Sequence, residues 1–298
     1  MRGEWHGADY EALSRVWELE RLMDAPLGNE IHRHVVVAAI AALQTFHRAT
    51  IVGLVNHSEA YRSRAAGLVD DKFTLKDALT FLGDGKLSAA ELIAHAAPCN
   101  SIHGLLSSMS RVLDQDIKGA LERAVQPHAR HDPQPEDLIV ADPDDLISKL
   151  GEAFRLRHIL AHEAAPSLII TKDTAAQTLW AVRLWMEAMQ GVLWSTAYLD
   201  RPLNQFEMNI AADIRVQEAR RELAGALAWA MRFARHIGKG AAVRRAHLAW
   251  KAATLEWITW AYWEQQGTMW GAVGAEEMAR LYRQRAEQLS RWQAYQVP

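Results

Sequence analysis

At 298 residues, half of them apolar, the chain is long enough for two domains with substantial cores. A formal net charge of −3 leaves no global cationic footprint, which excludes a non-specific nucleic-acid coat and leaves contact with nucleic acid to a local patch. A single cysteine, Cys99, rules out an internal disulfide; the longest apolar run, residues 35–43, is short of a membrane span, and the acid-bearing start lacks a secretory signal, so a cytoplasmic protein with no membrane partner is expected.

Apolar residues at helical spacing predict a first helix over residues 11–22, broken at Pro26 and Gly28. A longer one over 30–61 is apolar almost all round at its start and reads as the buried, central helix. His32, His34, His47 and His57 along it do not converge at metal-ligand spacing and read as facing solvent or a partner. A helix capped near Thr74 follows and ends at Gly83. Ser88 and Glu91 form a capping box that opens a short helix to Ala97, and 101–124 reads as one further helix.

Four of the nine prolines fall in 126–144, which describes an exposed loop just ahead of the next helix, a candidate lid or substrate-contact segment or equally a mobile connection. That helix, 144–164, carries Arg157, His158, His162 and Glu163 and stops before Pro166. A turn over 168–171 leads to a helix opened by Thr174 and Gln177 and running to Tyr198. Asp200-Arg-Pro-Leu203 marks a domain boundary, beyond which seven of the twelve tryptophans fall in about a hundred residues. Both halves are helical, so the fold class is all-α.

Arg157, His158 and His162 are a concentration of proton-transfer and anion-stabilising groups. Arginine stabilises the extra negative charge of a phosphorane with a fork of donors, and a histidine titrating near neutrality exchanges a proton with a ribose 2′-hydroxyl or a leaving oxygen. On one straight helix Arg157 and His162 point roughly 140° apart, so a shared cleft between two copies about a two-fold axis is the arrangement that joins them on one phosphodiester. No cofactor or metal is called for. A metal reading of His158, His162 and Glu163 suffers because the carboxylate follows the second histidine instead of lying between the two.

Arg157-His158-Ile159-Leu160-Ala161-His162, with the flanks 43–48 and 154–163, resembles the Arg-x4-His signature of the HEPN superfamily. Over residues 1–198 the resemblance implies an HEPN-like helical bundle, a homodimer through that domain, and a metal-independent endoribonuclease of toxin–antitoxin or anti-phage defence type. In it His162 is the general acid/base, Arg157 stabilises the phosphorane and His158 positions or relays a proton. RNA is the implied substrate, and a neutralising antitoxin or a phage protein the implied partner.

Over residues 199–298 a second resemblance, to the LprI-like lysozyme-inhibitor domain, rests on Gln205-Phe-Glu-Met-Asn209, on Val243-Arg-Arg-Ala-His-Leu-Ala-Trp250, and on Gly267, Thr268, Leu281, Arg285 and Leu289. Ala211 and Met278 stand where that family carries cysteines, which argues for a cytoplasmic sensor or regulatory bundle. Trp250, Trp257, Trp260, Trp263 and Trp270 recur at helical spacing and read as core rather than as a platform for bases or a partner. Arg155, Arg232, Arg235, Lys239, Arg244 and Arg245 are the cations offered to RNA phosphates, with a merely soluble loop an equally good reading of the cluster around Gly238. The alternative to a nuclease is a non-catalytic dimeric scaffold that binds a protein through the tryptophan-rich half.

Overall fold

The computed structural model describes residues 8–23, 28–69, 88–162, 168–265, 267 and 269–294, apart from the side chains of His162, Gln293 and Ala294. Among them every regular element is helical, and an isolated antiparallel bridge between Val125 and Leu138 is the one β feature. The chain forms two compact units, Met1–Leu199 and Asp200–Pro298.

The first unit contains α1 (Ala8–Leu22), α2 (Asn29–His57), α3 (Glu59–Ala66), α4 (Ala89–Ala96), α5 (Ile102–Leu113), α6 (Ile117–Leu121), α7 (Pro143–His162) and α8 (Lys172–Trp194). α2 is its axis: α1, α3, α4, α5, α7 and α8 all pack on it. Val35, Ile40, Leu43, Phe46, Ile51 and Leu54 on it are almost fully enclosed, each such burial stabilising by about 1.5–3 kcal/mol. Among the described helices α2 alone is long and apolar enough to cross a bilayer, yet 72% of its apolar window is buried inside the protein.

Local chemistry moves several boundaries from where apolar spacing puts them. α2 stops at His57 because Ser58 turns extended and caps α3, its hydroxyl accepting from Tyr61 N. The helix expected over 101–124 breaks at Asp114, which takes left-handed backbone at φ 57°, and Asp116 restarts it by accepting from the N–H groups of Lys118 and Gly119. The Ser88–Glu91 capping box is present, while the cap of α8 is Thr171 instead of Thr174. The helix expected around Thr74 lies outside the described residues.

Three of the four histidines expected to face outward do not. His47 is 2% exposed, and its Nε2 shares a 2.9 Å hydrogen bond with Ser108 Oγ. His57 is packed between the rings of Tyr61 and Tyr198, and half-buried His32 bonds the carbonyl of Ile170. Only His34 is exposed. α2 is surrounded, so even its polar positions meet protein.

The proline-rich loop is no lid. Gln126 N donates to Asp137 O and Ile139 N to Ala124 O, closing it on itself. Buried Arg130 bonds the carbonyls of Pro127 and Leu199 and covers the Trp194 ring at 5.5 Å. Gly191 of α8 lies so near that an added Cβ would come within 2.5 Å of Val125 O. The loop is thus pinned to the end of α8 and leads into the start of α7, roughly 20 Å of helix away from Arg157.

The second unit runs α9 (Gln205–His236), α10 (Gly240–Ile258), a π turn (Thr259–Trp263) and α11 (Met269–Ala294). Contacts between α9 and α11 advance together along both helices: Arg215 with Glu276, Glu222 with Arg283, Phe233 with Trp292. The two are therefore parallel, with α10 returning between them in sequence. Their seam is alanine at heptad spacing, Ala212 and Ala219 on α9 facing Ala272, Ala279 and Ala286 on α11, with Leu223, Ala230 and Leu289 filling the upper half. Small side chains let the pair close tightly and leave no deep groove for a third helix.

α10 consequently buries only Thr254 and Ile258, and docks through Trp250, which packs near Tyr282 beneath the Arg285 guanidinium. This overturns the expectation of a tryptophan core: Trp257, Trp260 and Trp263 are 46%, 63% and 47% exposed.

Candidate functional site

α7 is fixed at its start by Pro143 in its first position and by Asp142, which accepts from the N–H of Asp145 and of Leu146; acidic Asp144 and Asp145 suit its positive end. Leu146, Leu150, Ala153 and Phe154 then turn inward. The spacing of that stripe continues directly to position 157, where the residue is arginine. Arg157 is half-buried and, among the described residues, makes no ion pair or hydrogen bond.

Its neighbours are engaged differently. Arg155 points outward and is held by both carboxylate oxygens of Glu152, at 2.8 and 2.5 Å, while Lys149 pairs with Asp145 and lies over the Trp180 ring. Glu152 is held below its ordinary pKa chiefly by that hydrogen bond from Arg155. Arg155 is therefore committed to Glu152, which weakens its assignment to RNA. His158, roughly 100° round the helix from Arg157, is exposed and is engaged by a neighbouring group. His162 is the last residue of α7; its side chain and Glu163 lie outside the described residues.

The link that follows α7 is tied to the first turns of α2. Ile170 N donates to Asn29 Oδ1 at 2.7 Å, His32 Nδ1 lies 3.2 Å from Ile170 O, and Arg33 Nη1 donates to Leu168 O at 3.1 Å. These bonds span about 140 residues of sequence and bring the start of α2, including exposed His34, to the end of the unit where α7 finishes. Nothing in the spacing of Asn29, His32 and Arg33 announces this clamp. The Arg157 register was legible, because it falls in line with Leu146, Leu150 and Ala153.

Arg232, Arg235, Lys239, Arg244 and Arg245 belong to the second unit, all exposed, around the turn between α9 and α10, where Gly238 takes φ +70°. In the second unit a groove of about 520 Å³ is lined by Tyr262, Glu276, Glu277, Arg280, Arg283 and Glu287, with Arg280 already on Glu277 and Arg215 on Glu276. Among the described residues no three His, Cys, Asp or Glu side chains converge as a metal would need.

In comparisons with known proteins, no family model, no curated protein and no solved structure matches the chain.

Proposed function

We propose that the protein is a metal-independent endoribonuclease of HEPN type, acting as a cytoplasmic homodimer, with the second unit as a sensor or regulator. The observation that carries this reading is Arg157: a half-buried guanidinium in core register, unpaired among the described residues, on the same helix end as His158 and His162. A guanidinium partly removed from water and lacking a carboxylate is set to take an anion, and a phosphodiester matches its fork of donors.

His162 accepts the proton of a ribose 2′-hydroxyl as its oxygen attacks the adjacent phosphorus. Arg157 neutralises the charge that accumulates on the non-bridging oxygens. The P–O5′ bond breaks, and a protonated histidine, His162 or its counterpart across the two-fold axis, returns a proton to the 5′ oxygen. The products are a 2′,3′-cyclic phosphate and a 5′-hydroxyl, with no water consumed and no metal needed. His158 orients the substrate or relays a proton.

The test is cleavage of total cellular RNA by the purified chain in excess chelator, comparing wild type with Arg157→Ala and His162→Ala at matched oligomeric state. Cutting by wild type with cyclic-phosphate ends, reduced at least a hundredfold in each variant, supports the assignment; no cutting by any form refutes it. The exposed tryptophans of the second unit favour the alternative, a non-catalytic binding protein, and the same null result would move the reading there.

A further inference from the structure

The second unit is polarised in both charge and apolarity. One end is the turn between α9 and α10. From Leu223 to Leu255 there is no Asp or Glu, and Arg232, Arg235, Lys239, Arg244 and Arg245 cluster within about 10 Å of helix rise on either side of Gly238. All five are exposed and make no ion pair or hydrogen bond among the described residues; Ile237 and Leu248 are exposed beside them.

At the opposite end the up-down-up topology gathers the start of α9, the end of α10, the π turn and the start of α11. Phe206, Ile210, Ile214, Leu255, Trp257, Trp260, Trp263 and Met269 are all exposed there. Each of these large side chains offers on the order of 100 Å², together roughly 800 Å². That sum, spread over this end of the unit, is about one partner's share of a standard interface.

The surface is also built rather than frayed. Glu264 N reaches back to Thr259 O, closing the π turn, and a Cβ on Gly274 of α11 would meet Tyr262 Cβ at 2.9 Å and Trp263 Nε1 at 3.0 Å. The turn therefore sits tightly on α11 while still holding Trp260 outward.

Charge selects the occupant. Glu256 and Glu264 bracket the three tryptophans in sequence, are exposed and have no partner among the described residues. No Lys or Arg occurs from Ala252 to Ala279 or from Pro202 to Ile214, and the nearest arginines, Arg215 and Arg280, are already paired with Glu276 and Glu277. Nucleic acid is disfavoured at this end, because stacking on aromatics needs cations for the phosphates. Elsewhere in the chain tryptophans take cations on their faces: Lys149 on Trp180, Arg130 on Trp194, Arg285 on Trp250. Trp257, Trp260 and Trp263 have the carboxylates and aromatic faces for such cations but, among the described residues, none of their own.

We propose that the aromatic, acidic end of the second unit docks the cationic α9–α10 turn of a second copy of this chain, head to tail. Four arginines and a lysine then meet three indole faces and two carboxylates, with Ile237 and Leu248 on the apolar side chains. A two-fold axis through the acidic end does the reverse, setting Glu256 and Glu264 against their own copies and leaving both cationic ends unmet. A head-to-tail contact leaves one unmet end on each copy and extends from copy to copy, into a ring or a filament. On this proposal the five cations that the sequence offers to RNA serve assembly instead.

The experiment uses the full chain and two variants altered only at exposed positions, Trp257→Ala/Trp260→Ala/Trp263→Ala and Arg244→Glu/Arg245→Glu, each checked for helix content by circular dichroism. Fluorescently labelled triple-alanine protein, at a concentration where a dimer through the first unit is already complete, is titrated with unlabelled copies of itself and of the arginine variant, and anisotropy reads the further association. Each variant keeps one intact end, so the triple-alanine protein binds the arginine variant with wild-type affinity, and each binds itself at least tenfold more weakly. Raising sodium chloride from about 0.05 to 0.5 M weakens the wild-type contact at least tenfold. Equal self-association by either variant, absence of the mixed complex, or binding of a single-stranded RNA oligonucleotide at the cationic end by a wild-type chain that does not self-associate overturns the proposal.

Discussion

Mild acid is expected to weaken the first unit through His47. Its ring is enclosed between α2 and α5, and burial, assisted by the neighbouring Arg48 guanidinium, lowers its pKa from 6.5 to about 3. In the unfolded chain the imidazole titrates near its ordinary value. Between pH 6.5 and about 3 the unfolded state therefore binds a proton that native His47 refuses. Neutral His47 contributes its full stability above pH 6.5, and the contribution falls as pH drops, by about 1.4 kcal/mol per unit. By pH 4.5 that amounts to roughly 3 kcal/mol, a large share of the ~5–15 kcal/mol that holds a domain together. The comparison is wild type against His47→Gln, which keeps a donor toward Ser108 Oγ but cannot take a proton. Urea unfolding, read by pulsed hydrogen exchange on residues 39–55, isolates the first unit. Carboxylates contribute alike to both proteins, so the wild-type advantage at pH 7 should shrink by roughly 3 kcal/mol at pH 4.5. Parallel losses of stability in the two proteins would refute the reasoning.

Gly191→Ala forces the Val125 carbonyl or α8 to move, costing about 1–3 kcal/mol; calorimetry should show a melting temperature lowered by roughly 3–10 °C, and a shift below about 1 °C would contradict the contact. Arg33→Leu leaves the Leu168 carbonyl without that donor, so amide exchange over 168–171 should accelerate about tenfold while α5 is unaffected. Asp116→Ala removes an acceptor for two N–H groups and should lower stability by about 1 kcal/mol in chemical denaturation.

The long elements were legible because burial writes its period into a sequence: residues 35–43 are all apolar, and every one of them but Ala41 is buried or half-buried. Breaks were not, since Ser58, Asp114 and Asp116 act through hydrogen bonds that apolar spacing does not encode. At the candidate site, the residue types of Arg157 and His158 were plain, but the link from 168–170 to Asn29, His32 and Arg33 joins segments about 140 residues apart, which a linear reading cannot pair. The tryptophans mislead for a different reason. Helical spacing shows that Trp257, Trp260 and Trp263 favour related directions, yet the direction that becomes interior was decided by the alanines of α9 and α11.

That alanine seam also sets a clock during synthesis. Residues that meet across it, such as Glu222 and Arg283, stand about 60 positions apart, so α9 leaves the ribosome well before its partner exists. At about 5–20 residues per second the wait is roughly 3–12 s, far longer than the sub-microsecond to microsecond time in which a helix forms. For that interval the nascent chain displays Leu223, Leu227, Trp229 and Phe233 with no mate, and only the final 26-residue helix withdraws them. Interruption of translation anywhere before α11 is complete leaves a sticky, half-made bundle, a natural client for chaperones and proteases.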